Sequence, residues 1–321
     1  MNITLLSSAE QQTQTIERPR LLLSVMAWEL RRFGASRLFW LQALGFFCFL
    51  LFLTWAMRMP DQFTIGIGGP NSPMFYGFVA GTSAWGLLET LPFALLLLGL
   101  LLPFVTADGV TRDLHRRTHE LLMTTALPRW AYVWGRYLVS LLLALGLALL
   151  SLAAILGMGE LSHLTVANYP APEIGTVLLL WVGMVLPATI LLSSLSFALG
   201  TLLPRLSTLV KIVILLAWFV GALILPLGLH ATTTLPAWYV NWDPTSAVTA
   251  IGLRAPYQFP GNQAQTATSV AQLQQLLLGV ENKLPSIAGW FAPHLIEALL
   301  SFLLVVLAAF AFQRFRNAFN G

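Results

Sequence analysis

AWGLLETLPFALLLLGLLLPFVTADGVTRDLHRRTHELLMTTALPRWAYVWGRYLVSLLLALGLALLSLAAIL, residues 84–156, holds two long apolar runs around a charged connector. Crossing a hydrocarbon layer of about 30 Å takes roughly 20 helical residues, and each run reaches that length. Between them, from Asp108 to Arg136, stand Arg112, Asp113, His115, Arg116, Arg117, His119, Glu120, Arg129 and Arg136, in a chain of which only 9% is charged. So much charge in one short connector reads as a contact surface presented by membrane-spanning helices.

Working outward, further apolar stretches at about 38–57, 174–200, 208–229 and 291–312 join those at 84–105 and 132–156 to give six spans. A hydrophobic share of 57% and a mean hydropathy of +0.77 exclude an ordinary soluble domain. The expected fold class is an all-α polytopic membrane protein. Six spans put both termini on one side, and the basic residues test this independently, because short cytoplasmic loops are rich in Lys and Arg. The N-terminal arm carries Arg18, Arg20, Arg31, Arg32 and Arg37, while the next connector has Arg58 alone. The charged connector follows, and then Gly157 to Glu173 has neither Lys nor Arg. Arg205 and Lys211 come next, the long connector after them has only Arg254 and Lys283, and Arg314 and Arg316 close the chain. The alternation is complete, so both termini and the loop at 107–131 are expected in the cytoplasm.

The chain divides accordingly. Residues 1–37 are expected to form a disordered arm plus an interfacial helix, because Leu22, Met26, Leu30 and Phe33 make one helical stripe with Glu29, Arg31 and Arg32 off it. Residues 38–229 carry the first five spans. Residues 230–290 are expected to form an extracytoplasmic cap, irregular through LPAWYVNWDPTSAV, then helical where Leu273, Leu276, Leu277 and Val280 share a face behind an N-cap at Ser269 or Thr268. Residues 291–321 are the sixth span and a basic tail. Within the spans, Pro92, Pro103, Pro187 and Pro226 predict kinks. Ser193, Ser194, Ser196 and Gly200 offer a small face for close packing. Cys48, the single cysteine, allows no intramolecular disulfide and is expected to pack among apolar neighbours.

The chemistry search is largely negative. No GxxxxGK[ST] phosphate loop occurs, since Gly66, Gly68 and Gly69 lack the following Lys. His115, His119, His163, His230 and His294 are scattered, and no HExxH zinc motif is present. No Ser, His and acid set is expected to converge at one membrane depth. No metal or catalytic residue is assigned, and the basic residues mark membrane orientation rather than nucleic-acid binding. Two carboxylates, Glu89 and Glu297, lie inside spans near their outer ends, where an ionisable group marks a possible substrate path.

The charged connector carries a resemblance. RDLHRRTHELLMTTALPRWAYVWGRYLVSLLLAL, after a span ending LLPFVTADGV, resembles the cytoplasmic loop of the type-2 exporter (ABC-2) permeases of ATP-binding-cassette transporters. Thr118, Glu120, Leu121, Leu122, Thr124, Thr125, Pro128, Arg129 and Arg136 occupy the matching places, and Arg117 stands where the family usually has Gly. LLSSLSFALGTLLPRLSTLVKIVILL and the Asp243–Pro244 pair before the last span are similar too. The resemblance implies a permease subunit, not itself an enzyme, that pairs with a second permease copy or paralogue and with separate ABC ATP-binding subunits. Those subunits would hold the ATP and Mg, with no cofactor bound by this chain. It implies a multi-pass protein of a bacterial plasma or inner membrane, in contact with lipid. Arg112, Asp113, Arg116, Arg117, Thr118, Glu120, Leu121, Leu122 and Met123 would form the docking loop, with the leucines and Met123 as apolar anchor. Two other classes compete. An ion-coupled secondary transporter predicts inverted repeats and midplane charges, and a membrane enzyme or assembly factor predicts a reactive constellation.

Overall fold

The computed structural model describes residues 21–56, 63–66, 74–77, 79–107, 129–167, 169–229, 235–255, 257 and 269–319. The fold is helical, and six helices are long and apolar enough to cross a membrane. They are α2 (Arg37–Ala56), α3 (Ala84–Thr106), α4 (Arg129–Thr165), α5 (Ile174–Leu202), α6 (Pro204–Ile224, continued by the Leu225–Leu229 turn) and α10 (Phe291–Phe319). Before them, α1 covers 21–34. One departure from an all-helical chain is a hairpin in the first connector, where β1 (Phe63–Gly66) pairs antiparallel with β2 (Met74–Gly77), Phe63 opposite Gly77. The cap end of the bundle also holds α7 (Ala237–Asn241), α8 (Ala247–Arg254) and α9 (Val270–Glu281). At the opposite end α3 finishes at Thr106 and α4 begins at Arg129.

The core lies between α3 and α5. Leu87, Leu91, Leu95, Leu98 and Leu102 of α3 and Leu180, Met184, Leu192 and Phe197 of α5 are almost wholly buried. Helices in hydrocarbon associate by close packing and interhelical hydrogen bonds, since lipid tails offer no hydrophobic contrast. Both devices are present. A Cβ added to Gly99 would sit 1.9 Å from the Trp218 ring, so α6 lies directly on α3. The Trp218 Nε1–H donates to the Leu95 carbonyl at 3.0 Å. Trp181 of α5 donates to Ala148 O and Ser151 Oγ of α4 at 3.2 and 3.1 Å. The serine face of α5 packs as expected: Ser193, Ser194 and Ser196 are buried, and the Tyr137 and Ser194 hydroxyls lie 2.8 Å apart.

Of the four span prolines, Pro92 and Pro103 stand inside uninterrupted α3, whereas those of α5 and α6 each follow a π-helical turn. Trp181–Val185 precedes Pro187, and Val220–Ile224 precedes Pro226. A proline offers no N–H to its fourth preceding carbonyl, and widening the turn accommodates that loss. Cap residues fill the space over these turns. A Cβ on Gly183 would meet the Trp290 ring at 2.8 Å, and one on Gly221 would meet Thr245 Cγ2 at 2.8 Å.

Four expectations need correction. α4 runs to Thr165, well into the Gly157–Glu173 stretch read as a connector, because Gly159 packs on Thr82 and the His163 Nδ1 lies 2.6 Å from the Tyr169 carbonyl. LPAWYVNWDPTSAV is not irregular: α7 and the start of α8 lie in it. Cys48 is exposed rather than packed, since α2 meets the bundle through Ala43, Phe46, Leu50 and Leu53. Glu29 of α1 is only 2% exposed and pairs with Arg32 at 2.7 Å. The inward edge of α1 therefore runs through Leu22, Val25 and Glu29, with Leu22 and Val25 against Gly135, and Leu23 and Trp28 are left exposed.

Candidate functional site

The proposed docking residues Arg112, Asp113, Arg116, Arg117, Thr118, Glu120, Leu121, Leu122 and Met123 lie outside the described residues. The two roots of their loop are described, and both are held firmly. At the exit of α3, Ala107 is 2% exposed and its N–H donates to the Pro103 carbonyl at 3.1 Å. A Cβ on Gly200 would come 2.4 Å from the Ala107 carbonyl oxygen, so α5 reaches the backbone at this root through its lack of a side chain. At the entry of α4, Arg136 is 1% exposed, with its guanidinium 4.5 Å from the Tyr132 ring centre and 5.6 Å from that of Trp28. A buried guanidinium between aromatic faces keeps attraction in a poorly solvated place. Tyr132 stacks on Phe312 of α10, ring centres 6.3 Å apart. The chain therefore enters and leaves the loop through joints fixed by α5 on one side and by α1 and α10 on the other.

At the cap end, Glu89 and Glu297 are in different situations. Glu89 Oε1 lies 3.6 Å from an Arg254 amino nitrogen, each side chain about a fifth exposed (20% and 21%). The Arg254 guanidinium also lies 4.5 Å from the Trp85 ring centre. Glu89 thus ties α3 to α8. Glu297, half-buried on α10, has no hydrogen-bonded or ionic partner among the described residues.

Beside Glu297, one turn nearer the cap, sequence reasoning missed a cluster. The Asp243 carboxylate accepts from Thr245 N and Oγ1 at 3.0 and 2.8 Å and from Val248 N and Thr249 N at 2.6 and 3.4 Å. Of these four donors on one buried carboxylate, Val248 N and Thr249 N are open N–H groups at the start of α8. His294 Nε2 lies 2.9 Å from the Asp243 carbonyl and 3.4 Å from Ser246 Oγ, which is itself 3.5 Å from the Met184 carbonyl in the α5 π-turn. Ser246 adopts φ +59°, a left-handed conformation uncommon outside glycine. A serine, a histidine and an acid therefore do converge, against expectation. They are no nucleophilic triad. The same imidazole nitrogen faces both the serine and a backbone carbonyl, the Asp243 carboxylate is occupied by α8, and Ser246 and His294 are 0% and 1% exposed. A relay needs the acid on one ring nitrogen and the serine on the other. The cluster is a joint between α5, α8 and α10. Its signal in the sequence was the Asp-Pro-Thr-Ser string, a recognisable turn and cap.

Among the described residues no group of three or more His, Cys, Asp or Glu has metal-binding geometry.

Residues 86–311 match the family model described as ABC-2 family transporter protein. No curated protein matches the chain. The matched span takes in α3 through most of α10, both roots of the charged loop and the Asp243 joint, about two thirds of the sequence or more. Apolar helices, fixed loop roots and the family match agree, and the chain belongs to the ABC-2 transporter family as a multi-pass membrane permease.

Proposed function

We propose that this chain is the membrane subunit of an ATP-driven exporter, in which separate ABC ATP-binding subunits hydrolyse ATP and drive it through the 108–128 loop. The observation that carries the reading is the fixing of both loop roots, by Gly200 against Ala107 and by Arg136 against Tyr132 and Trp28. A loop tethered so rigidly passes displacement into α3 and α4 instead of dissipating it, because packed helices move as units. Arg112, Arg116 and Arg117 supply charge for acidic groups on the partner, and Leu121, Leu122 and Met123 supply the apolar anchor. Both termini are on the cytoplasmic side in this reading, in a bacterial plasma or inner membrane. Exposed apolar residues on α2 and α6, among them Leu41, Leu44, Phe52, Leu209, Ile212 and Leu216, serve lipid and a second permease copy or paralogue. ATP and Mg belong to the partner. Of the two span carboxylates, Glu297 is the substrate-path candidate because it has no partner among the described residues, whereas Glu89 acts through Arg254.

Co-purification with a separate ABC ATP-binding subunit tests the reading. Wild type is expected to retain the subunit and a Glu120→Arg, Leu122→Asp variant to lose most of it. Equal recovery would contradict docking through this loop.

A further inference from the structure

α9 is amphipathic, lies outside the six spans, and ends on Glu281, which is 0% exposed. Leu273, Leu277 and Glu281 follow at steps of four along one face, and both leucines are also almost completely buried. This face, which also buries Gln274 at 2% exposure, belongs to a helix that packs on β2 and on α3, and a carboxyl group is its last residue. Glu281 Oε2 accepts from Ala80 N at 3.1 Å, and the Ser83 side chain beside it also favours the ion. Glu281 Oε1 is buried with no hydrogen-bond partner among the described residues. Ser83 caps α3 through Gly86 N at 3.1 Å, and Gly81 N donates to the Tyr169 hydroxyl at 3.0 Å. The carboxyl group thus sits on the lead-in to α3, the helix whose other end carries the charged loop.

Among the described residues no basic group neutralises it. On α3 the nearest ionisable residue is Glu89, engaged with Arg254. From the end of α4 comes His163, directed at the Tyr169 carbonyl, and from the segment after it Tyr169 itself, whose hydroxyl accepts from Gly81 N. Strands β1 and β2 carry no carboxylate or base, only Tyr76. Beyond α9, Lys283 is exposed and its carbonyl accepts from the Tyr257 hydroxyl. Burial pushes Tyr257 up to about 12, so that bond persists through neutral and mildly alkaline pH. A buried carboxylate with one orphaned oxygen and no cation is costly, whereas the neutral acid is much less so. The positive end of the α3 dipole and the Ala80 N–H favour the ion, but burial outweighs them.

We propose that Glu281 latches α9 to the outer end of α3 as a neutral carboxylic acid, so that seating of the cap on this span is linked to proton binding and loosens as pH rises. Burial raises the Glu281 carboxyl to about 8 from an ordinary 4.5, with Ala80 and Ser83 only partly offsetting it. The seated state holds its proton more tightly than the unseated one. Latch stability is therefore full below about 4.5, falls as pH rises between the two values, and levels off above about 8. The inference concerns this chain alone and does not require the ATPase reading.

The test is spin-label mobility on α9 in the full chain in lipid nanodiscs. Gly279 has open space where a side chain would go, so the label is attached at Gly279→Cys in a Cys48→Ser background. Between about pH 6 and about pH 9.5 the ratio of mobile to seated label is expected to rise at least about tenfold in wild type, and to stay flat in Glu281→Gln, which keeps every other titrating group. A flat wild-type profile, or the same rise in Glu281→Gln, overturns the proposal. Should Glu281→Gln fail to insert, Glu281→Ala is expected to be mobile at every pH, and a pH-dependent Glu281→Ala equally overturns it.

Discussion

Single side chains carry the charge economy of this protein, and each buried ion needs its own account. Glu89 and Arg254 hold one another across α3 and α8, at an exposure where such a pair contributes about 1 kcal/mol at most. Glu89→Gln and Arg254→Gln are each expected to lower the melting midpoint slightly, and the double variant no further than the worse single one. A double-mutant thermal melt checks this, since additive losses would show that the two act independently. Glu297 is expected to behave differently. Glu297→Gln keeps the melting midpoint, because no partner among the described residues is lost, and slows substrate movement in proteoliposomes; wild-type transport rates would remove it from the path. The sequence made Glu89 and Glu297 visible as charges in apolar runs. It could not separate them, because the partner of Glu89 lies 165 positions away on a helix that composition did not announce.

Helices meet in this bundle where a missing side chain allows it. Gly99 beneath Trp218 is the tightest such approach, so Gly99→Ala is expected to cost about 1–3 kcal/mol by forcing the indole and its bond to Leu95 apart. Gly146→Ala, with open space at the same position on a neighbouring helix, is expected to be near neutral. Chemical or thermal unfolding of the two variants side by side measures the contrast, and equal stability would deny the α3–α6 contact. Element positions were legible where hydropathy alone sets them, which is why five span starts fall within a few residues of the expected ones. They were less legible where tertiary contacts extend a helix past its apolar run. α4 continues through Gly-Met-Gly-Glu because Thr82 and Tyr169 hold it, and no window of composition reports that. Glu281 was readable but unread: extending the Leu273, Leu277 spacing by one more turn places it on the buried face.

On the scale of the whole molecule, a buried pair, α3 and α5, is surrounded by helices that show apolar faces outward. α3 joins both ends of the machine, with the α9 latch and the Asp243 joint nearby at one end and the root of the charged loop at the other. The fold class and the family were legible because six apolar runs and one charged loop suffice for them. The cap was legible only as a place, since α7 and α8 are short and rest on tertiary contacts: the Asp243 carboxylate takes the first N–H groups of α8, and Val240 of α7 lies against Gly252 of α8. The central claim is that ATP hydrolysis on a separate subunit is coupled to this permease through the loop that α3 and α4 hold. ATPase activity of the partner subunits, measured in proteoliposomes with the wild-type chain and with the Glu120→Arg, Leu122→Asp variant, tests it most directly. The account predicts that the wild-type chain raises the hydrolysis rate severalfold and that the variant, inserted at equal amount, leaves it at the rate of the subunits alone; equal stimulation by both chains would contradict it.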